Sequence, residues 1–140
     1  METVVGFKGL KELQTDIRQM LQDYPDETDR MMRRSANGFV KDCNAKMPGR
    51  YQSGKHSIPR SWKKEYAQEL AVKTDVKITN TAPHFHLVEN GHRKYDFHGN
   101  PTGGFVAGKH YAEKTRKEWE EKFPEIVTEE IDKLLKKRDL

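Results

Sequence analysis

The sequence predicts an α+β domain in which helices flank a small antiparallel sheet, with a long C-terminal helix and two long flexible loops. Three observations lead to this prediction. Two apolar stripes with helical spacing occupy the first third of the chain, short runs of β-branched residues follow, and a long charged helical segment closes it. A chain of 140 residues is long enough for one modest core, so we expect residues 1–140 to form a single domain.

The first two helices are predicted from the spacing of their apolar residues. The first is expected from about Leu10 to Asp23, and Pro25 ends it. The second stops at Pro48-Gly49, and either Asp26 or Thr28 is placed to cap its start. Its apolar stripe consists of Met32, Ala36, Phe39, Val40, Cys43 and Met47.

The composition is that of a polar, mildly basic chain. Only 34% of the residues are hydrophobic, the mean hydropathy is −1.01 and the net charge is +4. No apolar run approaches the roughly 20 residues that cross a bilayer, and the first ten residues lack the pattern of a signal peptide. The single cysteine, Cys43, fits a reducing cytosol and is expected to be a buried, unreactive thiol.

A basic segment follows the second helix. Lys46–Lys64 contains six Lys or Arg residues, one histidine and no acidic residue, and it is rich in Gly, Pro and Ser. We predict a flexible loop at about 48–60. Two interpretations stay open: an arm that touches nucleic acid or an acidic partner, and a solvated loop whose charge maintains solubility.

Short strands and a short helix are expected in the middle of the chain. The first strand is placed near Ser61–Ala67 and the second near Leu70–Thr79, as an antiparallel hairpin. A helix of two to three turns then begins with Pro83 at its first position, and Asn90-Gly91 caps its end.

A second flexible loop is predicted at 93–109 because four glycines and a proline interrupt it. Short strands within it are placed at Lys94–Phe97 and Gly104–Val106. The chain then ends in a long helix that Pro124 either kinks or divides in two. The inward face of this helix is predicted to consist of Ala112, Thr115, Trp119, Phe123, Val127, Ile131, Leu134 and Leu135.

Histidines near the middle of the chain raise the question of catalysis. Their spacing matches no zinc motif, and no phosphate-binding loop is present, so we expect no cofactor and no enzyme. Glu89 nevertheless lies close to His92, which allows an acid–base pair. The alternative function is therefore a small metal-dependent nuclease or nucleic-acid-binding protein that uses the region of His84, Glu89 and His92. In that case Phe97, Tyr51 and Trp62 are candidates for stacking on bases.

Four motifs along nearly the whole chain resemble the small tail-completion, or head–tail joining, proteins of long-tailed bacteriophages and prophages. "FKGLKEL" (Phe7–Leu13) matches the start of that family's pattern, and "MPGRYQSGKHSIPRSW" (Met47–Trp62) matches its loop. The more specific matches are "NTAPHFHLVENGH" (Asn80–His92) and "GGFVAGKH" (Gly103–His110). The chain departs from the family in the loop before the tryptophan, which is longer than usual.

The resemblance implies a non-enzymatic virion protein that completes or terminates the tail tube and joins it to the head–neck connector. Related proteins of this kind form a ring, commonly a hexamer, which fits a chain with few core residues. The implied partners are further copies of the chain, the tail tube protein and the connector or stopper protein, with non-specific contact to DNA in the lumen and none to a membrane. The implied location is the neck of the virion, after synthesis in the bacterial cytoplasm.

Within this family, "APHFHLVENGH" reads as a fold element, and no catalytic residues carry over. The contacts with partners are instead predicted on the two loops. The predicted contact residues are Arg50, Tyr51, Lys55, His56, Arg60, Lys63, Lys64, Arg93, Lys94 and Lys109.

Overall fold

A computed structural model describes residues 3–5, 11–48, 57–66 and 76–138, and within them it has an α+β architecture. The elements in chain order are β1 (Thr3–Val5), α1 (Lys11–Asp23), α2 (Pro25–Ala45), a 3₁₀ turn (Ile58–Arg60), β2 (Trp62–Glu65), β3 (Lys77–Asn80), α3 (Phe85–Asn90), β4 (Gly91–Tyr95), β5 (Pro101–Ala107) and α4 (Tyr111–Arg138). The predicted fold class is confirmed, including the small antiparallel sheet and the long C-terminal helix.

The joint between α1 and α2 is a single residue, Tyr24. The first helix ends at Asp23 as predicted, but the second starts at Pro25, earlier than either predicted cap. A proline is favoured at the first helical position because a backbone N–H there would have no acceptor within the helix, so its absence costs nothing. The predicted capping by Asp26 or Thr28 is therefore wrong: both lie inside the first turn, and the Thr28 hydroxyl donates to the Tyr24 carbonyl over 2.7 Å.

The core lies where α2 packs against α4 and α1. The predicted stripe of α2 is largely buried, together with Met31, which was not part of that stripe. Helix α4 continues through Pro124 as one element, with Trp119, Phe123 and Val127 buried on both sides of the proline. The predicted inward face of α4 fails at its end, because Leu134 is buried whereas Leu135 is 52% exposed.

A polar network joins α2 to α4 at the edge of this core. The Asp42 carboxylate accepts hydrogen bonds from the indole N–H of Trp119 at 2.8 Å and from Lys122 at 3.0 Å. Partial burial acts to raise the pKa of Asp42, but those hydrogen bonds and the charges of Lys122 and Lys46 hold the pKa below its ordinary value. The charged Asp42 side chain thus links α2 to α4, the two longest helices, and we call this set of contacts the Asp42 clamp.

The first sheet has three antiparallel strands, with β3 between β1 and β2. The predicted pairing of the two middle strands is confirmed, with Trp62 opposite Asn80 and Glu65 opposite Lys77. Both strands are shorter than predicted, and residues 67–75 of the predicted hairpin lie outside the described residues. Strand β1 was not predicted, because three β-branched or polar residues give too short a pattern.

The predicted loop at 48–60 is wrong at residues 57–60. Ile58 is 5% exposed and begins the 3₁₀ turn, and its carbonyl accepts from the Asn80 side chain at 3.0 Å. The Asn44 side chain likewise donates to the Pro59 carbonyl at 3.3 Å. An apolar residue that enters the core and two side-chain amides therefore fix this segment. Residues 49–56 of the predicted loop lie outside the described residues.

The predicted flexible loop at 93–109 is also wrong, because most of this segment is a β-hairpin. Strands β4 and β5 pair antiparallel, with Gly91 opposite Ala107, Arg93 opposite Phe105, and an irregularity before Tyr95. The predicted strands were too short and started too late. The glycines suggested a loop, but Gly103 and Gly104 lie within β5 at the irregularity in the pairing, and the φ of 82° at Gly103 favours glycine there.

Candidate functional site

The segment Asn80–His92 forms a connector at the centre of the fold. Asn80 is completely buried, and its side-chain carbonyl accepts from the Ala82 N–H at 2.9 Å. Phe85 is buried with its ring edge-to-face against Trp62, at 5.5 Å between centroids. Helix α3 starts at Phe85 and not at the predicted Pro83, which lies in the preceding turn, and it ends at the predicted Asn90-Gly91.

Glu89, the proposed acid–base residue, holds the start of α4. It is 7% exposed, and its two carboxylate oxygens accept from the backbone N–H groups of Ala112 at 2.9 Å and Glu113 at 3.1 Å. A negative charge at this position satisfies two N–H groups that have no partner within the helix and complements the helix dipole. The ring of His92 instead lies 3.1 Å from the Arg93 carbonyl.

The two specific sequence motifs meet at the base of the hairpin. The Lys109 N–H donates to the Val88 carbonyl at 2.8 Å, and the His110 N–H donates to the Glu89 carbonyl at 3.1 Å. Gly91 and Gly108 cross there so closely that a Cβ on Gly108 would lie 2.5 Å from the Glu89 carbonyl oxygen. Gly91 also has a φ of 88°, which favours glycine. Both glycines thus serve to fix the direction of the hairpin.

Beyond this base, the hairpin exposes three aromatic rings. Tyr95 is 59% exposed, Phe105 is 63% exposed, and Phe97 at the tip is 100% exposed. These are three of the four large apolar side chains that are most exposed in the described part of the chain. Exposed apolar rings carried by one short element are typical of surfaces that bind a partner. We therefore take the β4–β5 hairpin as the candidate functional site.

The tip that carries Phe97 is held by hydrogen bonds. One Asp96 carboxylate oxygen accepts from the N–H groups of His98 and Asn100, each at 2.9 Å. The Asp96 N–H donates to the Asn100 carbonyl at 2.9 Å, and the Gly99 N–H donates to the Asp96 carbonyl at 3.0 Å. Such an Asp-centred turn limits the conformations of the tip before any partner binds.

Three of the predicted contact residues lie on or beside this hairpin. Arg93, Lys94 and Lys109 are exposed, and Arg93 stands opposite Phe105 on the same face. The aliphatic part of Lys94 lies across Gly104, with its Cδ atom 3.0 Å from where a Cβ would be. The site therefore combines exposed aromatic rings with cationic side chains.

Of the other seven predicted contact residues, three lie in the described part of the chain. Arg60 and Lys63 are exposed, and Lys63 forms an ion pair with Glu65 at 3.2 Å. Lys64 is only half-exposed and donates to the side chain of Asn37 at 2.6 Å, which ties β2 to α2. Four further predicted residues, Arg50, Tyr51, Lys55 and His56, lie outside the described residues.

Sequence reasoning missed Tyr95 and Phe105 as site residues. The available signal was an aromatic residue on each side of a turn-forming "DFHGNP" segment, which indicates a hairpin with aromatic strands. Trp62, a predicted stacking residue, is partly buried against Phe85, and its indole N–H donates to Asn44 at 2.8 Å. Of the predicted stacking residues in the described ranges, Phe97 alone belongs to the hairpin.

The described residues contain neither a metal-binding cluster nor an exposed cysteine. No cluster of three or more His, Cys, Asp or Glu side chains suited to a metal ion occurs within them. Cys43 is fully buried as predicted, and burial raises the pKa of its thiol to about 11. Each helix in these ranges is too short or too polar for a membrane span.

Comparisons with known proteins add no relative to this description. The chain has no significant match among protein-family models, characterised proteins or solved structures.

Proposed function

We propose that this chain is a non-enzymatic structural protein of a long-tailed bacteriophage or prophage. It completes or terminates the tail tube and joins it to the head–neck connector as a homo-oligomeric ring. The motifs in Phe7–Leu13, Asn80–His92 and Gly103–His110 support this proposal because they resemble those of this class of protein. The exposed hairpin is the structural observation that supports an assembly role.

The hairpin is evidence for an assembly role because it exposes aromatic rings to water, which costs free energy until a partner covers them. Phe97 is wholly exposed, and Tyr95 and Phe105 are more than half exposed. Covering one such ring is worth about 1.5–3 kcal/mol. Buried aromatic anchors of this kind dominate the binding energy of protein interfaces. A chain that retains several of them on a preformed hairpin is suited to contact other proteins.

The partners in this proposal are other copies of the chain, the tail tube protein and the connector or stopper protein. The exposed Arg93, Lys94 and Lys109 add positive charge beside the rings. Those cations suit acidic protein surfaces, and they also suit non-specific contact with DNA passing through the lumen. The protein is made in the bacterial cytoplasm and acts in the neck of the virion.

Electron microscopy of particles made without this gene tests the proposal. We expect filled heads beside separate tails if the protein joins the two, and abnormally long tubes if it terminates tail growth. The matched control restores the wild-type gene from a plasmid, and a second strain receives the gene with Phe97→Ala and Phe105→Ala. The double variant should fail to restore joined particles while folding normally. Normal tailed particles from the deletion strain would overturn the proposal.

A further inference from the structure

An apolar groove lies between the ends of α1 and α4, far from the hairpin. It has a volume of about 160 Å³, and Met20, Ile131, Leu134 and Leu135 form much of its wall. Leu135 is 52% exposed although it was expected to face the core. An apolar cavity of about 150 Å³ holds a benzene molecule in another protein, so this groove has room for a phenyl ring.

The charges at the groove are opposite to those at the hairpin. Asp16 and Asp23 belong to the groove's lining, which includes no lysine or arginine among the described residues. The hairpin carries Arg93 and Lys94 on β4 and Lys109 two residues after β5, against a single carboxylate, Asp96, at the tip. Three cations against one carboxylate leave the hairpin net positive, whereas the two aspartates leave the groove lining net negative, so the two surfaces are complementary in charge.

The two surfaces lie at opposite ends of the longest helix. The hairpin ends just before Tyr111, the first residue of α4, whereas the groove begins at Ile131. At about 1.5 Å per residue, these positions are roughly 30 Å apart along the helix. Phe97 is completely exposed, so the ring does not occupy the groove of its own chain.

We propose that the Phe97 tip of the hairpin inserts into the α1–α4 groove of a second copy of this chain. Because the contact joins two different surfaces, it is a head-to-tail interface, which closes into a ring or continues as a filament. This inference rests on the proposed function, since it assigns the subunit contact of the ring. It also gives Leu135 a role, as a wall of the groove.

Disulfide cross-linking between two separately purified variants tests the contact. The Phe97→Cys protein is mixed with a Leu135→Cys protein under mild oxidation, and the mixed dimer is identified by mass. The control partner is Lys117→Cys, whose parent side chain is 68% exposed on α4 but lies outside the groove. Cys43 is buried and contributes no background thiol.

We expect at least about a tenfold excess of the mixed product with Leu135→Cys, since a 1.4 kcal/mol preference suffices for that ratio. Equal yields with the two partners overturn the inference.

Self-association of proteins that carry no introduced cysteine gives an independent measurement. Phe97→Ala is expected to weaken association by roughly 10- to 100-fold in sedimentation at several concentrations. Far-UV circular dichroism and Tm should stay unchanged, because the ring makes no buried contact within its own chain. Unchanged association of a folded Phe97→Ala protein overturns the inference.

Failure of this inference is distinguishable from failure of the proposed function. Absent cross-linking together with separated heads and tails in the deletion strain overturns only the assigned contact. Specific cross-linking together with normal particles from the deletion strain overturns the tail assignment and leaves the head-to-tail contact. Binding of the tail tube protein to the groove, in place of a second copy, would also overturn the contact.

Discussion

At the scale of single residues, Gly38 shows how tertiary packing overrides helix propensity. It lies in the middle of α2, where alanine would ordinarily be favoured by about 1 kcal/mol. A Cβ at this position would lie 2.8 Å from the Cη2 atom of Trp119, whose ring is buried. The glycine allows the indole to approach the helix closely while its N–H donates to Asp42.

We predict that Gly38→Ala lowers the free energy of unfolding by about 1 kcal/mol, because the overpacking cost exceeds the gain in helix propensity. Urea denaturation measures the change. The control is the same substitution in a Trp119→Leu background, where the smaller side chain leaves room for the methyl group. There Gly38→Ala should be neutral or stabilising, and the same loss in both backgrounds would contradict the explanation.

The Asp42 clamp predicts a dependence of stability on pH. Its pKa is lower in the folded protein than the ordinary value of 3.8, so the folded state favours the charged form. The resulting stabilisation is present above the unfolded pKa and is lost as the pH falls through the folded pKa. We predict that Asp42→Asn flattens the fall of unfolding free energy below about pH 4. Asp132→Asn, at an exposed position of α4, should keep the wild-type slope.

At the scale of elements, α3 and α4 depend on each other through Glu89. We predict that Glu89→Gln lowers the free energy of unfolding by about 2 kcal/mol, because one carboxylate oxygen is replaced by an amide that cannot accept. Thermal and urea unfolding measure the loss. Glu113→Gln is the control, since its side chain is 46% exposed and should change stability by less than about 0.5 kcal/mol. Equal effects of the two substitutions would show that Glu89 does not support α4.

The elements differ in how far the sequence predicts them. Helix α1 and the long α4 follow from apolar periodicity, which is strong over three or more turns. The hairpin at Gly91–Ala107 does not, because its exposed rings obey neither helical nor half-buried strand spacing. Burial of Ile58 was also unpredictable, since a lone apolar residue in a basic segment gives no period. Asn80 and Glu89 were visible in a motif, but their partners are distant in sequence.

At the scale of the whole molecule, residues 49–56 and the hairpin are separable candidates for contact. The proposed function predicts that replacing 49–56 by glycine and serine in equal number leaves Tm unchanged but abolishes the joining of heads to tails. The physical reason is loss of the cationic and aromatic side chains predicted there, while Ile58 and the segment after it stay fixed. Microscopy of particles and thermal unfolding check the two parts.

The adjacent core position provides the control for that replacement. Ile58→Ala should lower the free energy of unfolding by about 2–4 kcal/mol, because it leaves a cavity in the core. A replacement of 49–56 that destabilises the protein as much would show that this segment supports the fold. Normally joined particles would instead remove the segment from the set of contact residues.

The crossing of Gly91 and Gly108 has a mechanical consequence. Both strands of the hairpin leave the domain through one point where backbones touch, and hydrogen bonds tie that point to α3 just before α4 begins. A force applied at the tip therefore reaches α4 through its first residues, and it reaches α2 through the hydrogen bond between Trp119 and Asp42. We therefore expect a force applied at the tip to reach the helical core through this one point.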